Sequence, residues 1–355
     1  MINAEHLPAA DLTIVEPRLS SASGHFHSLV SSICEQLPST NIRVACAPGG
    51  EEFLPAHCEA WPQLRPRLSK IGLAIALRHL GASTSSLCLL TACDRSLAVA
   101  TAMLPKACRV SGIVHDVGWL KRRYLVRVAS QLRPDLRVAC FGSPVRELAR
   151  AAGISVVEQF SYPVDPIWTN GYDQPDSPSH FLMAGGPRSE KGFLDVARWS
   201  IDSIGIRQLP VTIHLSKPDA DCRSAIRELE ERNSADIRLH QQPRTPSEFR
   251  DDFRGAIVLL LHRAALYEGR ASGLFLDAIM AGAPIIALAG SSFADEVDKE
   301  GIGVVAASTD SSALRDAAQR AVAGWRQQVE AMRLRRSRLL ATQSAKPLAT
   351  FVMGG

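Results

Sequence analysis

Short apolar runs of strand length alternate with segments of helical period along most of the chain. In the first half the strand-like runs fall at residues 12–16, 42–46, 86–90, 110–114, 138–141 and 155–158. Residues 25–37, 67–80 and 124–132 carry apolar side chains at helical spacing between them. Runs that stay apolar on consecutive positions suit strands buried on both faces, as in a parallel sheet. A stretch rich in Pro, Gly, Asp and Ser at 163–178 breaks the pattern and reads as a linker. The alternation then restarts, with strand-like runs at 181–184, 211–215, 237–240, 256–261, 284–288 and 303–306. Two rounds of strand, helix, strand predict an α/β protein built of two doubly wound, Rossmann-like parallel sheets.

These boundaries divide the chain into an N-terminal domain over 1–170, a second domain over 171–325, and a C-terminal segment over 326–355. The 355 residues suit two such cores better than one. Residues 311–340 are helical in period and increasingly basic, and 343–355 read as a loose tail. Hydrophobic residues make up 46% and charged residues 21%, and no run approaches the roughly 18 apolar residues of a membrane span, so a disordered or membrane-spanning chain is excluded. The formal charge is +4, and seven lysines stand against 33 arginines. The arginine excess reads mainly as a compositional bias, since nucleic-acid binding needs basic residues concentrated on one face, and nucleic acid is not an expected partner. The eight cysteines contain no Cys-x-x-Cys pair and mostly sit inside apolar runs, as small core residues in a reducing compartment do. With Glu5 near the start and no basic segment followed by an apolar one, the sequence points to a cytoplasmic location.

Two glycine-rich segments carry the candidate chemistry. In residues 181–192, Phe-Leu-Met-Ala-Gly-Gly-Pro-Arg-Ser-Glu-Lys-Gly, a strand ends in two glycines that let backbone approach a ligand, followed by Arg188 and Lys191 at the start of a helix. Two cations there either neutralise a diphosphate or form a solvated basic turn. In residues 267–287 a glycine-rich turn opens a short helix at Ser272 and Gly273, one acid (Asp277) follows, and a buried strand closes the segment. Unpaired N–H groups and the positive end of the dipole favour an anion at such a helix start. Neither segment fits the P-loop or the dinucleotide fingerprint Gly-x-Gly-x-x-Gly, which argues against a P-loop NTPase and a dinucleotide oxidoreductase. The run 111–116 delivers His115 and Asp116 to the carboxyl end of a strand, the ligand-binding edge of an open α/β sheet.

The segment from Asp277 to Ile285, Asp-Ala-Ile-Met-Ala-Gly-Ala-Pro-Ile, together with Arg188, Lys191 and Gly192, resembles the nucleotide-binding elements of the retaining glycosyltransferases usually called family 4. The family has a glycine-rich turn between two acids eight residues apart. Here the second acid is Asp277 where Glu is commoner, and the nearest upstream acid is Glu268, nine residues away. The resemblance implies the GT-B architecture, two domains facing across a cleft, with 1–170 on the acceptor side and 171–325 holding a nucleoside-diphosphate sugar. The final helix of 326–355 would cross back to the first domain.

It also implies transfer of the sugar to a glycan or lipid-linked acceptor with retention, without a metal or other cofactor. By this likeness Gly24, Gly186, Arg188, Lys191, Arg270, Ser272, Gly273 and Asp277 bind the donor, and His115 and Glu268 lie beside the reacting centre. His25 and His27, next to Gly24, either meet the acceptor or are loop residues. The basic run 121–127, beside Trp119, either touches anionic lipid or a lipid-linked acceptor at the inner membrane, or is the solvated face of a helix whose Tyr124, Val128 and Leu132 point inward. Other classes open to the same fold are a nucleotide-sugar epimerase or phosphorylase, and a non-catalytic nucleotide-sugar-binding partner, which the displaced acid favours. His214, His240 and His262 receive no role.

Overall fold

The computed structural model describes residues 9–19, 25–62, 64, 70–90, 104–114, 123–164, 168, 173–205, 209–216, 218–263, 272–291 and 293–354. These form two units. One comprises residues of 1–166 and 343–355, the other residues of 167–268 and 272–342.

The first unit is a seven-stranded sheet of β1 (Ala10–Glu16), β2 (Ile42–Cys46), β3 (Cys58–Trp61), β4 (Thr84–Leu89), β5 (Arg109–Val114), β6 (Arg137–Cys140) and β7 (Val156–Gln159). The strands lie in the order β3-β2-β1-β4-β5-β6-β7 and every pairing is parallel. Helices α1 (His25–Glu35), α2 (Lys70–Ala82), α3 (Arg123–Leu132) and α4 (Ser143–Ala151) supply the crossovers. The second unit repeats the design with β8 (His180–Met183), β9 (Val211–His214), β10 (Ile237–His240), β11 (Ala256–Leu260), β12 (Ile285–Leu288) and β13 (Gly303–Ala306), ordered β10-β9-β8-β11-β12-β13 and again all parallel. Its helices are α5 (Phe193–Asp202), α6 (Arg223–Arg232), α7 (Pro246–Asp251), α8 (Gly273–Ala281), α9 (Ala294–Glu300), α10 (Ser311–Ala323) and α11 (Trp325–Thr342). In each sheet the order reverses once, between β1 and β4 and between β8 and β11. Connections leave opposite faces at such a point, and a crevice opens at the carboxyl ends of the two strands.

The apolar runs became strands because both faces are covered. Ile257, Val258, Leu259 and Leu260 of β11 are all buried. Strand β3 was not expected. It sits at the sheet edge, is half-buried, and reads Cys-Glu-Ala-Trp without an apolar run. A wholly buried arginine holds it. Arg43 of β2 donates from Nε and Nη2 to Glu59 Oε2 at 3.1 and 2.9 Å, and from Nη1 to Ser83 Oγ at 3.0 Å.

Two expectations are corrected. Val128 and Leu132 of α3 do not point inward; they are 43% and 51% exposed, while Ala129 between them is buried. The tail is not loose, for residues 346–353 form α12 (Lys346–Met353) within the first unit. Leu348, Phe351 and Val352 recur at three and four residues, the helical stripe, and are buried among β-strand residues of that unit. The Phe351 ring lies 5.2 Å from that of Phe160, the Arg137 guanidinium sits 4.3 Å above it, and Ser86 Oγ donates to the Met353 carbonyl at 3.1 Å. Phe351→Ala therefore costs about 3–5 kcal/mol of stability, measured as a lowered urea midpoint. A midpoint equal to wild type would mean that α12 lies outside the core.

Candidate functional site

The reversal between β8 and β11 is where the second unit gathers its chemistry. The chain leaves β8 through Ala184 and turns on Gly185 and Gly186, both in the left-handed region with φ of 85° and 79°. A side chain at Gly186 would put its Cβ 2.6 Å from the Ser216 carbonyl oxygen, so this turn admits only glycine. A short turn over Ser189–Lys191 follows, and Gly192, φ 78°, opens α5. At Gly192 a Cβ would meet the Leu261 carbonyl oxygen at 2.5 Å. That close approach packs the Lys191 turn against the end of β11.

Lys191 is half-buried and donates from Nζ to the Gly185 carbonyl at 3.2 Å. Burial and the adjacent Arg188 charge push its pKa down from the ordinary lysine value to about 8, against the opposing pull of Glu190, Asp219 and Asp277. A cation already poorly solvated gains more from an incoming anion than a surface lysine does. Arg188, 43% exposed, is held by Asp219, with Nη1 donating to Oδ1 at 3.0 Å.

The chain that follows β11 leads to α8, whose Asp277 is near enough to act on Lys191. Ser272 is the buried N-cap; its Oγ accepts from the Phe275 N–H at 3.3 Å. The amides of Gly273 and Leu274, in the first turn, are of the kind that no intrahelical carbonyl satisfies. Asp277, one turn on, accepts from the indole Nε1 of Trp168 at 2.9 Å. Trp168 is wholly buried and packs edge-on against Phe253 at 5.4 Å between centroids. The bond from Trp168 fixes the orientation of the Asp277 carboxylate.

Sequence reasoning gave His262 no role, yet it lies two residues beyond β11 and is 1% exposed. Burial first, and then the Lys191 charge, depress its pKa to about 3, so it is neutral at physiological pH. Its signal was present in the sequence: it follows an apolar strand at the carboxyl edge, as His115 does. Trp168 gave no signal, because it lies in a linker-like stretch. His214 and His240 belong to a separate polar cluster, in which His214 Nε2 lies 3.0 Å from Asp252 Oδ2 and Arg244 donates to both oxygens of Asp252 at 2.8 and 2.9 Å.

Of the ten candidate site residues, Gly186, Arg188, Lys191, Ser272, Gly273 and Asp277 thus belong to one unit, around its strand-order reversal. Gly24, His115, Glu268 and Arg270 lie outside the described residues. His27 is within α1, where its Nε2 bonds the Phe53 carbonyl at 3.0 Å. Among the described residues no group of three or more His, Cys, Asp or Glu could hold a metal ion, and no helix is long and apolar enough to cross a membrane.

Solved structures share this architecture over nearly the whole chain. HepE from Anabaena, in complex with UDP-glucose, superposes with a TM-score of 0.71 at 9% identity, covering 97% of this chain and 98% of that one. A sucrose-phosphate synthase from Thermosynechococcus elongatus gives 0.66 at 14% identity, with 96% of each chain covered. WaaG, a glycosyltransferase involved in lipopolysaccharide biosynthesis, gives 0.64 at 12% identity, covering 97% of this chain and 100% of that one. The fold is that of GT-B glycosyltransferases. No protein-family model and no curated protein sequence matches the chain.

The Trp168 bond to Asp277 is testable by itself. Trp168→Phe keeps an aromatic ring beside Phe253 and removes the N–H donor. The loss of a hydrogen bond to a charged group predicts a fall of about 1.5–3 kcal/mol in unfolding free energy. Unchanged stability in chemical denaturation would show that the bond does not hold Asp277.

Proposed function

We propose that the protein is a glycosyltransferase that moves a sugar from a nucleoside diphosphate to a glycan or lipid-linked acceptor, with retention at the anomeric carbon. The observation that carries this reading is the half-buried Lys191, presented with the Gly185-Gly186 turn and the start of α8 at the reversal point of the second sheet. The likeness in fold to sugar-transferring proteins, one of them bound to UDP-glucose, supports the donor class.

In the reaction an acceptor hydroxyl oxygen bonds to the anomeric carbon on the face that the diphosphate leaves, as the bond from that carbon to the diphosphate oxygen breaks and the hydroxyl proton passes to the departing diphosphate. Negative charge then builds on the departing diphosphate. Lys191, Arg188 and the first amides of α8 would stabilise that charge, and such prepositioned donors contribute most where water is scarce. For Arg188 this requires its guanidinium to share or exchange Asp219. Asp277, oriented by Trp168, would accept from the ribose hydroxyls. His262, neutral and buried beside Lys191, would keep the pocket free of a competing cation. Gly24 and Arg270 would contact the donor, and His115 and Glu268 would lie beside the reacting carbon. No metal is needed in this scheme, since the fixed cations and amides take its electrostatic role.

The test is thermal denaturation with UDP, GDP, ADP and their sugars, using wild type and Lys191→Ala. One nucleotide at a hundredfold excess over its Kd should stabilise the wild type by about 2.7 kcal/mol, and the variant should lose most of that gain. Equal stabilisation of both proteins, or of neither, would overturn the site.

The pH dependence gives a second test. A bound diphosphate favours charged Lys191, so binding takes up a proton once the pH exceeds the free-protein value of about 8. Affinity should hold below pH 8 and weaken above it, and Lys191→Arg, which stays charged, should flatten the profile. Calorimetric titrations showing the same slope for both proteins would contradict the assignment.

A further inference from the structure

Cysteines 34 and 58 share no motif in the sequence, yet the first unit brings them together. Helix α1 turns one stripe, His27, Ser31 and Cys34, toward residues 53–58. His27 Nε2 bonds the Phe53 carbonyl at 3.0 Å and lies 3.3 Å from Ser31 Oγ. His57 Nε2 donates to the Cys34 carbonyl at 3.1 Å. The next residue, Cys58, begins the edge strand β3 and packs against the core cluster that contains Cys34, close enough for the two thiols to influence each other. Both cysteines are free in this structure, Cys34 buried and Cys58 partly exposed.

We infer that Cys34 and Cys58 form a redox-active dithiol, a modification site that closes to a disulfide when the protein meets a low-molecular-weight disulfide such as oxidised glutathione. The two residues differ in what each step needs. Exchange begins with a thiolate that reagent can reach, and of the two Cys58 is the partly exposed one, with its thiol pKa lowered by the neighbouring Cys34. The thiols of Cys46, Cys88, Cys108, Cys140 and Cys222 are instead raised, chiefly by burial. Cys58 thiolate attacks one sulfur of the reagent and expels the first glutathione thiolate, leaving a mixed disulfide on Cys58. Cys34, shielded from reagent but touching Cys58, gives up its proton and attacks the Cys58 sulfur, expelling the second thiolate. Two protein thiols are oxidised and one glutathione disulfide is reduced to two thiols.

The closed bond would tie the carboxyl end of α1 to β3. Helix α1 is the first crossover after β1, whose carboxyl end borders the order reversal of the first sheet. Oxidation therefore constrains the helix that follows the carboxyl end of β1, the edge on which open α/β sheets bind ligands in general.

The experiment treats native full-length protein with oxidised glutathione, quenches by alkylation, digests without reduction and maps the cysteines by mass spectrometry. The expected product is a peptide pair joining Cys34 to Cys58, with the intact protein lighter by two hydrogens and restored by dithiothreitol. Cys34→Ser should stop at a stable glutathione adduct on Cys58, and Cys58→Ser should leave Cys34 unmodified. Because the cross-link is read in wild-type protein, the test does not depend on either variant folding. A glutathione adduct retained on wild-type Cys58, a bridge from Cys34 to Cys88, or a Cys34–Cys58 bridge formed only in denaturant would each overturn the inference.

Discussion

Parallel pairing of β8 with β11 is the constraint on which the candidate site depends. The register runs Ala256 against His180 through Val258 against Leu182, so both strands end at the same edge of the sheet. Their chains must then leave on opposite faces, and in open α/β sheets a crevice forms at such a shared edge. Glycines at 185, 186 and 192 let the β8 exit fold tightly against Ser216 and Leu261. That tight exit holds a lysine that is less solvated than a surface residue and that makes no ion pair within 4 Å among the described residues.

Electrostatics and packing are coupled at this edge. Burial lowers the Lys191 pKa against the pull of Asp277, and burial first and then the Lys191 charge lower that of His262. Asp277 is itself oriented by a tryptophan that is fixed by its burial against Phe253. The buried aromatic pair thus sets the position of an acid one turn into the helix whose first amides face the same edge. The fold alone is common to proteins of different activity. The functional reading rests on this local arrangement of cation, amides and acid.

Much of the architecture was legible in the sequence because strands buried on both faces leave unbroken apolar runs. The glycine-rich turn after β8 was legible for a similarly local reason, since positive φ and close backbone approach leave few residue choices. The features that escaped depend on tertiary partners. Strand β3 is specified by Arg43 reaching across to Glu59, not by its own four residues. Helix α12 is too short to be stable alone and forms because Leu348, Phe351 and Val352 find a core made elsewhere in the chain. Trp168 is invisible as a site residue until folding places it beside Asp277, and the pairing of Cys34 with Cys58 likewise exists only in three dimensions.

The most direct measurement is a crystal structure of the protein with a nucleoside diphosphate bound. The account predicts that the phosphate oxygens lie within hydrogen-bonding distance of Lys191 Nζ and of the Gly273 and Leu274 amides, with the ribose against Asp277. A diphosphate bound elsewhere, with Lys191 still donating only to the Gly185 carbonyl, would contradict it.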